Sequence, residues 1–477
     1  MTDAELNRLP PLWVALLPVV ALVLLLVVQI RVFEGSAHLP LILASIVAAL
    51  TGSALGHPWR EIEDGIVRGI SIALKAILIL MVIGILIGTW IASGIVPLLI
   101  DYGLRLLTPN FFLLATCLIC TVVSMATGSS WTTAGTVGVA LIGVGEGLGI
   151  YPPMTAGAIV SGAYFGDKMS PLSDSTNLAP AVAGSELFEH IGYMTYTTVP
   201  ALLLSLVAYG YLGWSAHPAV IDGSQITAIR SALAGNFVLS PVLLLAPGLV
   251  ILVVALRVPP LPGLLGGALL GGLLAWWIQG ASPQQVMEVA QLGYKADTGS
   301  PLVDELLTRG GLESMLSTVA LVLCALTFGG TMEATGSLRS LARAILRLAH
   351  STGSLVLATV CSCIGTNVVA PDQYLSIIVP GRMYRETFHQ RGLHPKLLSR
   401  TLEDSGTLSS PLVPWNTCGA FMSTALLVPT AAYLPYAFLN LLTPVVAVII
   451  AFSGFRIAKL SDSARELPPA PPLSAPR

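Results

Sequence analysis

Long apolar runs separated by short polar stretches make up most of this chain. Residues 11 to 30 read PLWVALLPVVALVLLLVVQI, and one helix needs about 20 apolar residues to cross the hydrocarbon core of a bilayer. Similar runs recur to residue 452, giving about fourteen hydrophobic segments, some of them short or interrupted by Gly and Pro. The pattern predicts an all-α polytopic membrane protein.

Two segments near the start of the chain call for separate interpretations. The run at 11 to 30 has no small-residue cleavage site and is long for a signal peptide, so we expect a retained helix. Residues 57 to 69, HPWREIEDGIVRG, predict a short interfacial helix before the next apolar run.

The composition places most of the chain in lipid. Hydrophobic residues make up 54% and charged residues 10%, with a mean hydropathy of +0.82, whereas soluble chains average about 25% charged residues. The lipid bilayer is therefore the expected partner, and nucleic acid is not. All six cysteines lie in apolar stretches, where a thiol behaves as a small hydrophobe. We see no nucleophile–base pair or nucleotide motif, so we expect neither an enzyme nor a cofactor.

The two halves of the sequence repeat one another. Three pairs of segments match in the same order at offsets of 242, 237 and 240 residues. The pairs are GTWIASG at 88–94 with GTMEATG at 330–336, GSSW from Gly128 with GTNV from Gly365, and Ser170-Pro171-Leu172 with Ser410-Pro411-Leu412. Three collinear matches favour a duplication, and internal repeats are common in transporters.

The distribution of Lys and Arg indicates that the two copies are inverted. Residues 382 to 400 carry five basic side chains and the counterpart stretch 144 to 153 carries none, whereas basic residues accumulate on the cytoplasmic side. Threading the segments in this way puts 16 of the 23 Lys and Arg inside, 5 outside, and Lys75 and Lys168 within the membrane. We predict two inverted-topology repeats with broken helices or re-entrant hairpins at the midplane, both termini being cytoplasmic, in a bacterial plasma (inner) membrane.

The predicted domain organisation follows from the repeat. Residues 1–215 form the first repeat, with about seven hydrophobic segments, and 236–455 form the second. An external connector at 216–235 joins them, and an external insertion at 295–311 has no counterpart in the first half. Residues 456–477, ending in ELPPAPPLSAPR, predict a disordered cytoplasmic tail.

The first half contains a stretch dense in oxygen ligands, GDKMSPLSDSTN at 166 to 177. Irregular backbone at membrane depth is tolerated only where it lines a cavity, so a broken helix or hairpin is expected here. An intramembrane carboxylate is a functional-site hypothesis by default. Freed carbonyls and the oxygens of Asp174, Ser173, Thr176 and Asn177 suit a hard monovalent cation, and sodium is the predicted ion. Asp167 is either a further ligand or a residue of the cytoplasmic rim.

The second half carries the matching break, EDSGTLSSPLVPWNTC at 403 to 418, in which Asn416 and Thr417 are candidate ligands. Further breaks are expected at 127–131 and at 365–367, the second contributing Thr366 and Asn367. The predicted sodium ligands are Asp174, Asn177 and Asn416. The alternative is that individual Ser, Thr and Asn side chains only hold helices together.

Other acidic residues are candidate proton carriers. Glu333 lies in the GTMEATG repeat where the first half has Ile91, and Asp372 follows Pro371. Glu403 and Asp404 adjoin the second break. Neighbouring carboxylates at low dielectric repel one another, which favours the binding of a proton, and bound sodium opposes it.

These stretches resemble the NhaC-type sodium/proton antiporter family. The resemblance is carried by three long segments and covers nearly the whole hydrophobic region: GAYFGDKMSPLSDSTNLAPAVAG at 162–184, DQYLSIIVPGRMY at 372–384 and LSRTLEDSGTLSSPLVPWNTCGAFMS at 398–423. It implies secondary exchange of sodium ions for protons, in a fold with scaffold and mobile transport regions.

The resemblance also implies an alternative. Members similar to this family include sodium-linked carriers of malate, lactate or amino acids. A sodium- or proton-coupled carrier of a small organic anion or amino acid is therefore the second hypothesis, with a substrate carboxylate at the half-helix N-termini near Gly128 and Gly365. A channel would need a continuous polar pore, whereas paired breaks favour alternating access. A homodimer is left open.

Overall fold

The computed structural model describes residues 9–215, 223–256 and 258–460. Helices make up 81% of this part of the chain, which contains no β-strand. The all-α prediction is therefore confirmed. Residues 216–222 of the predicted connector and 461–477 of the predicted tail lie outside the described residues.

The first half of the chain folds into ten described α-helices. They are α1 Leu12–Arg31, α2 His38–Ala54, α3 Trp59–Ala92, α4 Ile95–Leu106, α5 Pro109–Thr127, α6 Ser130–Thr133, α7 Val139–Gly147, α8 Pro152–Met169, α9 Asp174–Ala183 and α10 Leu187–Ser215. A π-helical turn, Ala134–Gly138, joins α6 to α7 without a break.

The second half adds thirteen described α-helices. They are α11 Gly223–Asn236, α12 Leu245–Ala255, α13 Pro260–Trp277, α14 Pro283–Leu292, α15 Pro301–Leu307, α16 Leu316–Ala334, α17 Ser337–Leu346, α18 Thr352–Val369, α19 Gln373–Gln390, α20 Pro395–Leu402, α21 Thr417–Leu426, α22 Thr430–Tyr433 and α23 Phe438–Ser453. A second π-helical turn, Glu403–Thr407, extends α20.

Seven of the described helices are long and apolar enough to cross a membrane. The number rises to nine if two sharply bent pairs each count as one span. These pairs are Ile226–Asn236 with Pro241–Ala255, bent by 94°, and Thr417–Leu426 with Thr430–Tyr436, bent by 89°. The remaining predicted hydrophobic segments are shorter or interrupted helices. The chain is therefore a multi-pass membrane protein built partly from broken helices.

The separate short helix predicted at 57–69 is wrong, because residues 59–69 are the first turns of the 34-residue helix α3. Gly65 and Gly69 do not interrupt α3, since both pack closely against α16. A Cβ on Gly65 would lie 2.5 Å from the Ala334 Cβ, and one on Gly330 would lie 2.7 Å from the Gly65 carbonyl oxygen. Small residues spaced by four let two membrane helices approach at backbone distance.

Two of the three repeated segments lie at corresponding helix ends. Gly94 lies between α3 and α4 and Gly336 between α16 and α17, both in the left-handed region with φ of 82° and 70°, where glycine is favoured. Ser170-Pro171-Leu172 is an irregular turn between α8 and α9, whereas Ser410-Pro411-Leu412 is a 3₁₀ turn that closes the helix extended from α20, before α21. The inverted arrangement of the halves stays a prediction.

The third pair does not match. Gly128 ends α5 with φ of 65°, and a new helix begins at Ser130, so the first predicted break is confirmed. The break predicted at 365–367 is wrong, because Gly365 and Asn367 lie inside α18, which continues to Val369. The interruption comes at Ala370 and Pro371 instead, since proline has no amide hydrogen to extend the helix.

Candidate functional site

Four interrupted stretches of the chain meet around one cavity of about 880 Å³, which we call the central cavity. Its polar wall comes from the starts of α6, α9, α19 and α21, together with Lys75 of α3 and Asp167 of α8. The residues that concern its chemistry are Lys75, Ser129, Ser130, Asp167, Ser173, Asp174, Ser175, Asn177, Asp372, Gln373, Tyr374, Thr417 and Cys418. Four helix starts therefore direct backbone N–H groups and capping side chains to the same region.

The first hairpin, which consists of α8, the turn at Ser170-Pro171-Leu172 and α9, is fixed by its own side chains. Ser173 caps α9 by accepting a hydrogen bond from the Thr176 amide. Asn177 Nδ2 donates to the carbonyls of Pro171 at 2.9 Å and Ser173 at 2.7 Å. Thr176 is fully buried, and its hydroxyl donates to the Lys168 carbonyl. Thr176 therefore fixes the hairpin and does not line the cavity.

Asp167 links the first two breaks. Its Oδ2 accepts hydrogen bonds from the Ser130 hydroxyl at 2.6 Å and the Ser130 amide at 3.2 Å. The side chain is buried against the start of α6. A carboxylate at a helix start satisfies N–H groups that have no partner within the helix. Asp167 is therefore a buried residue of the cavity wall.

Asp174 is the most accessible carboxylate of the cavity. It begins α9, and 54% of its side chain is exposed. Its Oδ2 lies 2.9 Å from Lys75 Nζ, on the middle of α3. The other predicted ligand nearby, Asn177, is also exposed and lines the cavity. The first half thus offers oxygen ligands that an ion entering the cavity can reach.

The candidate ligands of the second half are less accessible than those of the first half. Asn416 caps α21 by accepting from the Cys418 amide, and its Nδ2 donates to Asn367 Oδ1 at 2.9 Å. Asn367 Nδ2 in turn donates to the Gly406 carbonyl and the Ser409 hydroxyl. Asn416 and Asn367 are fully buried, and neither lines the cavity. The structure therefore separates Asn416 from Asp174 and Asn177, the other predicted sodium ligands.

Asp372 has a capping role in addition to its position in the cavity wall. Its Oδ1 accepts from the amides of Tyr374 at 2.9 Å and Leu375 at 3.1 Å. Thr417 also lines the cavity. Glu333 is half-buried near the end of α16, and Thr366 bonds within α18 to the Ser362 carbonyl. Neither of these two lines the cavity.

A buried charge cluster lies behind the first hairpin and the second one, which runs from α20 through Ser410-Pro411-Leu412 to α21. Lys168 pairs with Asp404, which also accepts from the Thr197 hydroxyl at 3.0 Å. Arg400 Nε lies 3.6 Å from the second oxygen of Asp404. Glu403 is fully buried, and its two carboxylate oxygens have no hydrogen-bond partner within the described part of the protein. A buried carboxylate without a hydrogen-bond partner is costly to keep charged.

Sequence reasoning missed the partners of these acids. Lys75 and Lys168 were placed within the membrane by charge threading but were not assigned to the site. The signal that could have identified these two lysines is a basic residue inside a long apolar stretch. Nothing in the sequence indicated that Lys75 contacts Asp174, 99 residues away, or that Lys168 contacts Asp404.

An aromatic pair brings the two halves together beside the cavity. Trp131, at the start of α6, stacks on Phe421 of α21 with ring centroids 4.3 Å apart and an interplanar angle of 7°. Stacked aromatic pairs contribute about 0.5–1.5 kcal/mol beyond their buried area. The contact fixes one broken helix from each half at the same side of the cavity.

Comparisons with known proteins agree with this architecture. The sequence profile of the Na+/H+ antiporter family matches residues 8–163 and 162–455. The chain is 40% identical to the Na+/H+ antiporter NhaC of Alkalihalophilus pseudofirmus, covering 91% of this chain and 94% of that protein.

Two other relatives carry names with organic substrates. The arginine/ornithine antiporter ArcD of Halobacterium salinarum is 38% identical, covering 95% of this chain and 94% of its own. The malate-2H+/Na+-lactate antiporter of Bacillus subtilis is 37% identical, covering 94% and 96%. The profile match and the relatives extend over nearly the whole chain, and the chain belongs to the Na+/H+ antiporter family.

Proposed function

We propose that this protein exchanges sodium ions for protons across the bacterial inner membrane by alternating access. The observation that carries the proposal is the placement of Asp174. Its carboxylate is exposed in a cavity formed by four interrupted helices, whose wall also carries the side-chain oxygens of Asn177 and of several Ser and Thr residues. Sodium is a hard ion that takes such ligands. The relatives are transporters, and we expect no catalytic activity.

The proposed sodium site centres on Asp174, with Ser173 and Asn177 beside it in the cavity wall. An intramembrane carboxylate supplies the negative charge that a dehydrated cation requires. The site lies at the tip of a hairpin, so a movement of that hairpin would expose it to the other side of the membrane. Interrupted helices at the binding site are the usual device for alternating access in secondary transporters.

The proposed proton sites are the acids that face the same region. Asp167 and Asp372 line the cavity, and Glu403 lies in the π-helical turn that packs against α8 and α9. Sodium near any of these carboxylates favours its ionised form, and a proton on the shared carboxylate opposes sodium binding. Competition of this kind is the simplest way to couple the two ions.

The test is transport by the purified protein in proteoliposomes under an imposed sodium gradient, with internal pH as the readout. Asp174→Asn is expected to abolish sodium-dependent proton movement, because it removes the counter-charge of the ion. Asp297→Asn removes an acid that does not line the cavity and is expected to retain exchange. Wild-type protein that moves no protons in response to sodium would contradict the proposal.

A second candidate function is sodium- or proton-coupled transport of a small organic anion or amino acid. The observation that favours it is the cavity volume of about 880 Å³, far more than a bare ion needs. Small-molecule sites occupy about 300–1,000 Å³. The names of two relatives include such substrates. The same vesicles loaded with lactate, malate, arginine or ornithine distinguish the two: exchange without any organic solute supports simple antiport.

A further inference from the structure

Lys75 occupies an unusual position in the membrane. It stands 16 residues after the start of α3 at Trp59 and 17 residues before its end at Ala92. At 1.5 Å per residue, the lysine lies roughly 25 Å from either end of this helix. A charged group at such a depth is costly unless it has a partner or faces a water-filled cavity. Lys75 has both, because it lines the central cavity and pairs with Asp174.

The pair is open to exchange with ions in the cavity. The side chains of Lys75 and Asp174 are 53% and 54% exposed, whereas both members of the Lys168–Asp404 pair are fully buried. An exposed ion pair is weak and its members separate readily. Asp174 can therefore release the ammonium group when another cation arrives, which the buried pair cannot do without a large cost.

The other cavity carboxylates are engaged differently. Asp167 accepts from the hydroxyl and amide of Ser130, and Asp372 accepts from the backbone at the start of α19. Neither has a salt bridge within the described residues. Among the described acids of the cavity, Asp174 is the one that pairs with an ammonium group. The lysine thus covers the carboxylate that is most accessible to sodium.

We propose that Lys75 is a built-in competitor of sodium and sets the sodium affinity of the site. Its ammonium group occupies Asp174 in the sodium-free carrier, and sodium binds only by displacing it into the cavity. The inference rests on the proposed sodium site at Asp174. Competition from Lys75 weakens sodium binding, and this speeds transport because a site that binds sodium too tightly releases it slowly on the other side of the membrane.

The test measures sodium binding by purified protein with radioactive sodium at one fixed alkaline pH, alongside initial exchange rates in proteoliposomes. Lys75→Gln is expected to bind sodium about two- to fivefold more tightly. This is the change in affinity that corresponds to the free energy of one exposed ion pair. Its maximal exchange rate is expected to fall, since release becomes slower. Lys75→Arg restores a competing cation and is expected to bind sodium about as weakly as the wild type.

Arg68→Gln is the matched control. It removes one positive charge from the same helix, seven residues earlier, at a residue that does not line the cavity. Its sodium affinity is expected to equal that of the wild type. Thermal unfolding checks that each variant is folded, and Lys75→Met replaces Lys75→Gln if the glutamine variant is not.

The outcomes separate this inference from the proposed function. Sodium binding that is unchanged or weaker in Lys75→Gln and Lys75→Met, with normal binding by the wild type, overturns the competitor role alone. Equal tightening in Arg68→Gln also overturns it, since the effect would then be one of overall charge. Wild-type protein that binds no sodium overturns the proposed function and this inference together.

Discussion

Lys168 and Asp404, separated by 236 residues, form a fully buried ion pair that joins the first half of the chain to the second. Lys168 lies two residues before the Ser170 break, and Asp404 lies in the π-helical turn before the Ser410 break. Arg400 lies 3.6 Å from the other oxygen of Asp404. Asp404 therefore contacts two buried cations directly behind both hairpins, next to the buried Glu403.

This arrangement predicts an order of destabilisation. Lys168→Met leaves Asp404 with Arg400 and is expected to cost about 3–5 kcal/mol, as breaking a buried pair does. Asp404→Asn leaves two cations without their carboxylate and is expected to cost more. Lys75→Met breaks only an exposed pair, worth about 0–1 kcal/mol. Unfolding in mixed micelles, followed by tryptophan fluorescence, measures the stability of all three variants. Equal losses of stability would contradict the burial of the Lys168–Asp404 pair.

Gly128 and Gly365 occupy matching positions in the repeated sequence, but replacement by alanine is expected to change the stability of the protein differently at the two positions. Gly128 has φ of 65°, and an added Cβ would lie 2.6 Å from the Leu172 Cβ. Gly128→Ala is therefore expected to destabilise by about 1–3 kcal/mol, through backbone strain and displacement of the hairpin.

Gly365 is the matched control, because it lies within a helix and a Cβ there would meet nothing within 4 Å. Gly365→Ala is expected to be neutral or stabilising by up to about 1 kcal/mol. Thermal unfolding of the two alanine variants compares them directly. A comparable loss of stability in both would mean that α18 is also interrupted at Gly365.

Topology can be tested by labelling single cysteines in a protein whose six native cysteines have been replaced. From the charge asymmetry we expect the 295–311 segment outside and the 382–400 segment inside. Asp297→Cys and Gln390→Cys are both at exposed positions. An impermeant thiol reagent added to intact cells is expected to label Asp297→Cys and spare Gln390→Cys. The reverse pattern would overturn the predicted orientation.

The pH dependence of sodium binding tests the proton sites. Protons and sodium compete, so the apparent sodium affinity is expected to weaken as pH falls, by up to about 1.4 kcal/mol for each tenfold rise in proton concentration. Glu403→Gln keeps the shape of the side chain but cannot ionise, and it is expected to flatten this dependence while sodium still binds at alkaline pH.

Asp372→Asn serves as the comparison for Glu403→Gln. An asparagine still caps α19, because its side-chain oxygen can accept from Tyr374 and Leu375. Any change in its pH profile therefore reports the loss of a titrating acid and not of the helix. If both variants keep the wild-type profile, the proton is carried by Asp167 or by Asp174 itself.

The sequence by itself determined the class of the protein and some of the places where its membrane helices end, at Gly128 and at the two Ser-Pro-Leu segments, but not the end of α18. Apolar runs of about 20 residues require helices, because lipid offers the backbone no hydrogen-bond partners. Ser170-Pro171-Leu172 interrupts the helix, and Ser410-Pro411-Leu412 forms the closing 3₁₀ turn of one, so both segments mark a helix end. These properties depend on a few neighbouring residues, so they can be predicted from the local sequence.

Only the tertiary structure decided which polar residues face the cavity and which ones pair. Asp174 and Asn177 are exposed there, whereas Asn416 is buried against Asn367 and Glu403 lies behind the hairpins. Lys75 reaches Asp174 across 99 residues of sequence. Such contacts depend on how distant helices pack, and the period of the apolar pattern does not encode that packing, because surrounding lipid lets a helix be apolar on every side.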